Sequence, residues 1–97
     1  MSDTGVIAAV TERARLLAKS LGPAAETAVE NLRAELERSP RLGVLVGAQQ
    51  NTEIYKTRIE GRGDMPGLAV AYVYTPQPPP QTVAIVSLVP DDTSGDC

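Results

Sequence analysis

The sequence predicts an α+β domain, a helical hairpin packed on a small antiparallel β-sheet, and three observations carry that prediction. Apolar residues recur at helical spacing from residue 12 to residue 36, interrupted at Gly22-Pro23. Beyond Pro40 the period becomes extended, with Tyr55, Thr57 and Ile59 alternating with Lys56 and Arg58. Extended runs at residues 53–60, 68–74 and 83–89 are separated by turn-rich and proline-rich segments, the pattern of a meander with its helices on one face. A chain of 97 residues fits one domain with one core, placed at residues 1–90, with 91–97 as a disordered acidic tail.

The elements follow in order. Residues 1–5 are expected to fray, and residues 6–10 are too short for periodicity to separate a strand from a first helical turn. Thr11 and Glu12 suit a helix start, because the hydroxyl takes an unpaired N–H and the carboxylate suits the dipole. Ala14, Leu17, Ala18 and Leu21 then share one face. Gly22 ends this helix and Pro23 opens the next at a position where its missing N–H costs nothing. Ala25, Ala28, Val29, Leu32 and Leu36 mark the buried face of the second helix, and Ser39-Pro40 closes it. Residues 42–46 read as a short extended run and 47–51 as a loop before the alternating strand at 53–60. Residues 61–67 make a turn-rich connector. In the next strand Val70, Tyr72 and Tyr74 fall on one face and Ala69, Ala71 and Val73 on the other. Pro76 to Pro80 form a stiff loop, residues 83–89 read as a strand buried on both faces, and Pro90 stops it.

Composition narrows the function. With neither Phe nor Trp and only three Tyr, the core is built from Leu, Val, Ile and Ala. Cys97 is the single cysteine, so an intrachain disulfide is excluded and a reducing compartment fits. Asp3 precedes an apolar run of only five residues, so no signal peptide or membrane span is expected and the protein reads as cytoplasmic. The net charge of −3 argues against a general nucleic-acid binder. Its distribution says more, because residues 1–90 hold nine acids and nine bases and the excess lies in Asp91, Asp92 and Asp96. Between residues 38 and 62 five cations, Arg38, Arg41, Lys56, Arg58 and Arg62, face Glu53 and Glu60. The adjacent Asp91 and Asp92, without a histidine anywhere, make a poor metal site, and neither metal nor cofactor is expected.

Lys56 and Arg58 are the pair on which chemistry would rest. Two residues apart on a strand, they stand on one face about 7 Å apart, a spacing suited to phosphate. The plain alternative is a solvated strand face whose charges pair with Glu53 or Glu60, at about 0–1 kcal/mol per pair. Tyr55, Tyr72 and Tyr74 fall on core faces, where packing is favoured over base stacking. Arg41 and Arg38 read as a loop charge and a helix terminus when RNA is left aside.

Arg13-Ala14, Lys19-Ser20-Leu21-Gly22, the helix end Glu37-Arg38-Ser39-Pro40-Arg41, then Tyr55-Lys56-Thr57-Arg58 and Val70-Ala71-Tyr72 together resemble the RelE branch of the RelE/ParE toxin superfamily. The likeness covers residues 6 to 90. It implies a first strand at residues 6–10, two helices and a curved antiparallel sheet. It further implies the toxin of a type II toxin–antitoxin pair, a messenger-RNA endoribonuclease acting in the ribosomal A site. Its partners would be a cognate antitoxin, the ribosome and mRNA, with a homodimer also compatible. Lys56 and Arg58 match the family's cationic strand pair, Lys56 as base and Arg58 as the holder of a phosphate oxygen. Arg62 and Arg41 are the accompanying RNA-binding candidates. The chain departs from the family at Ala69, where an arginine is usual, and at Pro90-Asp91-Asp92, where basic residues and then a Tyr or His are usual. Two further readings therefore stand beside the nuclease: a ParE-like or catalytically degenerate toxin that acts by binding a protein such as gyrase, and a non-toxic interaction module on the same scaffold. In either, the apolar row Ala69, Ala71 and Val73 would take an antitoxin segment or a second subunit.

Overall fold

The computed structural model describes residues 5–63 and 65–91, with the backbone alone at Asp91. The elements run β1 (Val6–Val10), α1 (Glu12–Leu21), α2 (Pro23–Arg38), β2 (Val44–Gln49), β3 (Thr52–Ile59), β4 (Gly67–Thr75) and β5 (Gln81–Asp91). Both helices lie on one face of a five-stranded sheet of order β1-β5-β4-β3-β2.

The helices form where the sequence places them. The Thr11 hydroxyl accepts from the Ala14 N–H at 3.4 Å, capping α1. Gly22, at φ 110°, ends α1 and begins α2 in one residue, a conformation that a side chain would strain. Pro23 occupies the first turn of α2, and the Ser39 N–H closes its far end on the Glu35 carbonyl at 2.8 Å. Ala14, Ala18, Val29, Leu32 and Leu36 are buried, with Leu17 and Leu21 packed beside them. They meet Tyr55, Leu68, Val70, Tyr72, Tyr74, Val83, Ile85 and Leu88 from the sheet. The three tyrosines are thus core residues.

Four features differ from the sequence reading. The sheet is mixed, because β1 pairs β5 in parallel, Val6 opposite Gln81 through Val10 opposite Ile85. No tight turn can join a parallel pair, and here all the intervening chain separates them. The expected loop at 47–51 is largely strand: β2 runs to Gln49 and a two-residue turn at Gln50-Asn51 leads into β3, with Gln50 at φ 51°. Pairing with β3 overrides the weak strand preference of Gly47 and Ala48. Pro90 does not stop β5, which continues opposite Leu68 and Gly67 as far as Asp91. There β1 has ended, so β5 is an edge strand, where a missing N–H is tolerated. Finally, β5 is buried on one face only, since Val83, Ile85 and Leu88 are enclosed while Ala84, Val86 and Ser87 are half-buried and Val89 is exposed. The tail expected at 91–97 does not include Asp91, which ends β5, and residues 92–97 with Cys97 and residues 1–4 lie outside the described residues.

The two sheet edges are finished differently. At β1 the Ala8 N–H donates to Glu37 Oε2 at 3.2 Å, and Arg33 Nη1 donates to the Ala8 carbonyl at 3.1 Å and to Glu37 Oε2 at 2.9 Å. Arg33 Nη2 also reaches Glu30 Oε2 at 2.6 Å, so one arginine on α2, itself held by two carboxylates, clamps that edge at Ala8. At the other edge the approach to β2 is fixed by the Gly43 N–H, which donates to the Tyr72 hydroxyl at 2.8 Å. A Cβ at Gly43 would stand 2.5 Å from the Lys56 carbonyl oxygen. Gly43→Ala is therefore expected to destabilise the fold by about 2–3 kcal/mol, read as a lower urea midpoint at unchanged slope. A midpoint equal to wild type would refute the close approach.

Candidate nucleic-acid interface

Strand β3 carries the candidate residues because its period-2 alternation is locked on both sides. Tyr55 is buried and stacked on Tyr72 of β4, with ring centroids 5.3 Å apart and planes 10° apart. With Tyr55 toward the helices, Lys56 and Arg58 project on the opposite face, and both are exposed. Register places Lys56 between Val44 and Ala71, with Ser87 beyond Ala71. Arg58 lies beside Ala69, with Val89 beyond. The cations thus stand about 7 Å apart on a sheet face that no helix covers, with small and apolar residues opposite them in register on β2 and β4.

Arg62 lies in the connector between β3 and β4. Its N–H donates to the Met65 carbonyl at 3.0 Å and its carbonyl accepts from the Met65 N–H at 2.7 Å, which closes the β3–β4 connector tightly. Arg58 and Arg62 together line a groove of about 580 Å³ between α2 and the end of β3, which Asn31, Glu35, Thr57 and Glu60 also line. The structure therefore brings Lys56 and Arg58 to one face, and Arg58 and Arg62 to one groove.

Arg41 is elsewhere. Its Nε and Nη2 grip the two carboxylate oxygens of Glu53 at 3.0 Å each, and its guanidinium lies 5.1 Å from the centre of the Tyr74 ring. Glu53 is about 16 Å along β3 from Arg58. Glu53 Oε1 also accepts from the Tyr55 hydroxyl at 2.7 Å, and the Tyr74 hydroxyl donates to Gln81 Oε1. Arg41, with the Tyr55 hydroxyl second, holds the Glu53 carboxyl below its ordinary value of 4.5. Desolvation, and then the bond to Glu53, pushes the Tyr55 hydroxyl up, and desolvation does the same to Tyr72. Sequence reasoning assigned Glu53 no role beyond a surface ion pair, since its partners are set by the fold. It also passed over Ser87, the hydroxyl nearest in register to Lys56, inside an otherwise apolar run.

Among the described residues no group of three His, Cys, Asp or Glu side chains is placed to hold a metal ion. No described helix is long and apolar enough to cross a membrane. Comparison with protein-family models, with curated proteins and with solved structures finds no match to this chain.

Because the folded carboxyl of Glu53 titrates below 4.5, its pairing stabilises the fold above that pH, and the contribution is lost as pH falls through the lowered value. Glu53→Gln should reduce Tm at pH 7, and the gap to wild type should narrow as pH falls below the ordinary carboxylate range. A gap that stays constant as pH falls would refute a contribution from the ionised carboxylate.

Proposed function

We propose that this chain is the toxin of a type II toxin–antitoxin pair, a RelE-like endoribonuclease that cleaves messenger RNA in the ribosomal A site. The observation that carries the reading is the placement of Lys56 and Arg58, exposed and side by side on the one sheet face that the helices leave bare. A backbone phosphate lying over β3 would meet both cations at once. In the reaction the adjacent ribose 2′-oxygen attacks phosphorus and loses its proton to a base, the role given to Lys56. The P–O5′ bond breaks, O5′ takes up a proton, and a 2′,3′-cyclic phosphate and a 5′-hydroxyl remain. Arg58 offsets the charge that builds on the phosphorane oxygens. Arg62, in the connector that follows β3, is the cation this reading assigns to a neighbouring phosphate.

A second reading has its own support. Beside the two cations, register sets Ala69, Ala71, Ser87 and Val89, so these neighbouring rows supply no acid for O5′. A surface of that kind suits a ParE-like or catalytically degenerate toxin that stops a protein target by binding it.

Inducible expression in bacteria separates the two. With the nuclease, growth stops, new 5′ ends appear at A-site codons, and the Lys56→Ala/Arg58→Ala variant loses cleavage by about 10²-fold or more. Arrest that survives the substitution without new ends would replace the nuclease by the protein-binding reading. Continued growth with soluble, folded protein would refute both.

A further inference from the structure

The sheet has one clamped edge and one open edge. Arg33 and Glu37 satisfy the outward backbone groups of Ala8 on β1, and β2 carries no such clamp among the described residues. Along and just before β2, Leu42, Val44, Leu45 and Val46 are exposed, Val44 to 70%, Leu45 to 54% and Val46 to 52%. Residues 42–51 contain no charge and no proline, the devices by which edge strands ordinarily repel other strands.

We propose that β2 is a self-association edge, on which a second copy of this chain adds its own β2 in antiparallel register. The argument for a second copy is one of charge and closure. An uncharged apolar strip discriminates against charged partners, and its best complement is another uncharged strip such as itself. Each full chain carries a net charge of −3, but residues 42–51 carry none, so two such strips meet without like charges opposite one another. A two-fold β2–β2 contact uses the β2 edge of both copies, and the Arg33–Glu37 clamp at Ala8 occupies the middle of β1, giving a closed pair in place of a fibre. The bulge between Leu45 and Gly47 limits the length of ladder, so the interface is small and the association concentration-dependent.

The pairing has a consequence for the cationic face. The two-fold axis of an antiparallel pair stands perpendicular to the sheet, so the open faces of both copies lie on the same side. The two β3 strands are then three strand spacings apart, which sets the two Lys56/Arg58 pairs about 14 Å from each other on a continuous surface. The association itself does not depend on the function proposed above.

Sedimentation velocity from about 1 to 500 μM, the low-affinity range for a small interface, tests it with the full chain. Wild type should shift from monomer to dimer over that range. Val44→Lys/Val46→Lys should remain monomeric with an unchanged circular-dichroism spectrum, and so should Val44→Lys alone, while Ile7→Lys, which adds the same single charge at an exposed site on β1, should dimerise as wild type does. Amides of residues 44–48 should gain hydrogen-exchange protection as concentration rises. A wild type that stays monomeric throughout would overturn the proposal and leave the edge to a different partner. Dimerisation undiminished in the double variant, or abolished equally by Ile7→Lys, would overturn it as well.

Discussion

The stacked pair of Tyr55 and Tyr72 is the interaction on which this structure depends. In a core otherwise made of aliphatic side chains and Tyr74, Tyr72 is the largest fully buried group, and its ring fixes β3 against β4 while its hydroxyl holds the approach to β2. Register in a sheet has period 2, so a slip of one residue would turn Lys56 and Arg58 into the apolar core and Tyr55 out to water. Carrying two cations into the apolar core would cost several kcal/mol each in desolvation, which disfavours that register. The aromatic pair and the cationic pair thus enforce the same alignment from opposite sides of one strand.

The helical hairpin covers a single face, and this determines what remains available for binding. Each tyrosine hydroxyl finds a polar partner at the margin of the core, Tyr55 on Glu53, Tyr72 on Gly43 and Tyr74 on Gln81. Arg41 draws the first of these and Tyr74 together by gripping Glu53 while lying over the Tyr74 ring. That cluster rigidifies the β2–β3 end of the sheet, whereas the groove lined by Arg58 and Arg62 opens at the other end of β3. Structural charge and candidate functional charge are therefore separated along one strand. The clamped β1 edge and bare β2 edge extend the same division to the sheet margins.

Much of this was legible in the sequence because it depends on local rules. Thr11, Gly22, Pro23 and Ser39 mark the ends of both helices by their own backbone chemistry, and the alternation from Tyr55 to Ile59 gives the facing of Lys56 and Arg58 directly. What escaped depends on partners distant in sequence. Gly47 and Ala48 are strand residues only because β3 lies beside them, and Pro90 fits β5 only because β1 has already ended. The parallel pairing of β1 with β5 and the Arg33 clamp on Ala8 join residues more than twenty positions apart, without a local signature. At the site, the face shared by Lys56 and Arg58 follows from period alone, but the groove joining Arg58 to Arg62 and the withdrawal of Arg41 onto Glu53 require the packed chain.

The central claim is that the uncovered face of the sheet, centred on Lys56 and Arg58, is the surface this protein works with. Backbone amide NMR spectra recorded during titration with a short single-stranded RNA test it most directly, at low and at high salt. The account predicts shifts confined to β3, β4 and the residue 61–67 connector, with affinity falling steeply as salt rises, because phosphate contacts release counterions. Shifts centred on the exposed faces of α1 and α2, or binding insensitive to salt, would contradict it.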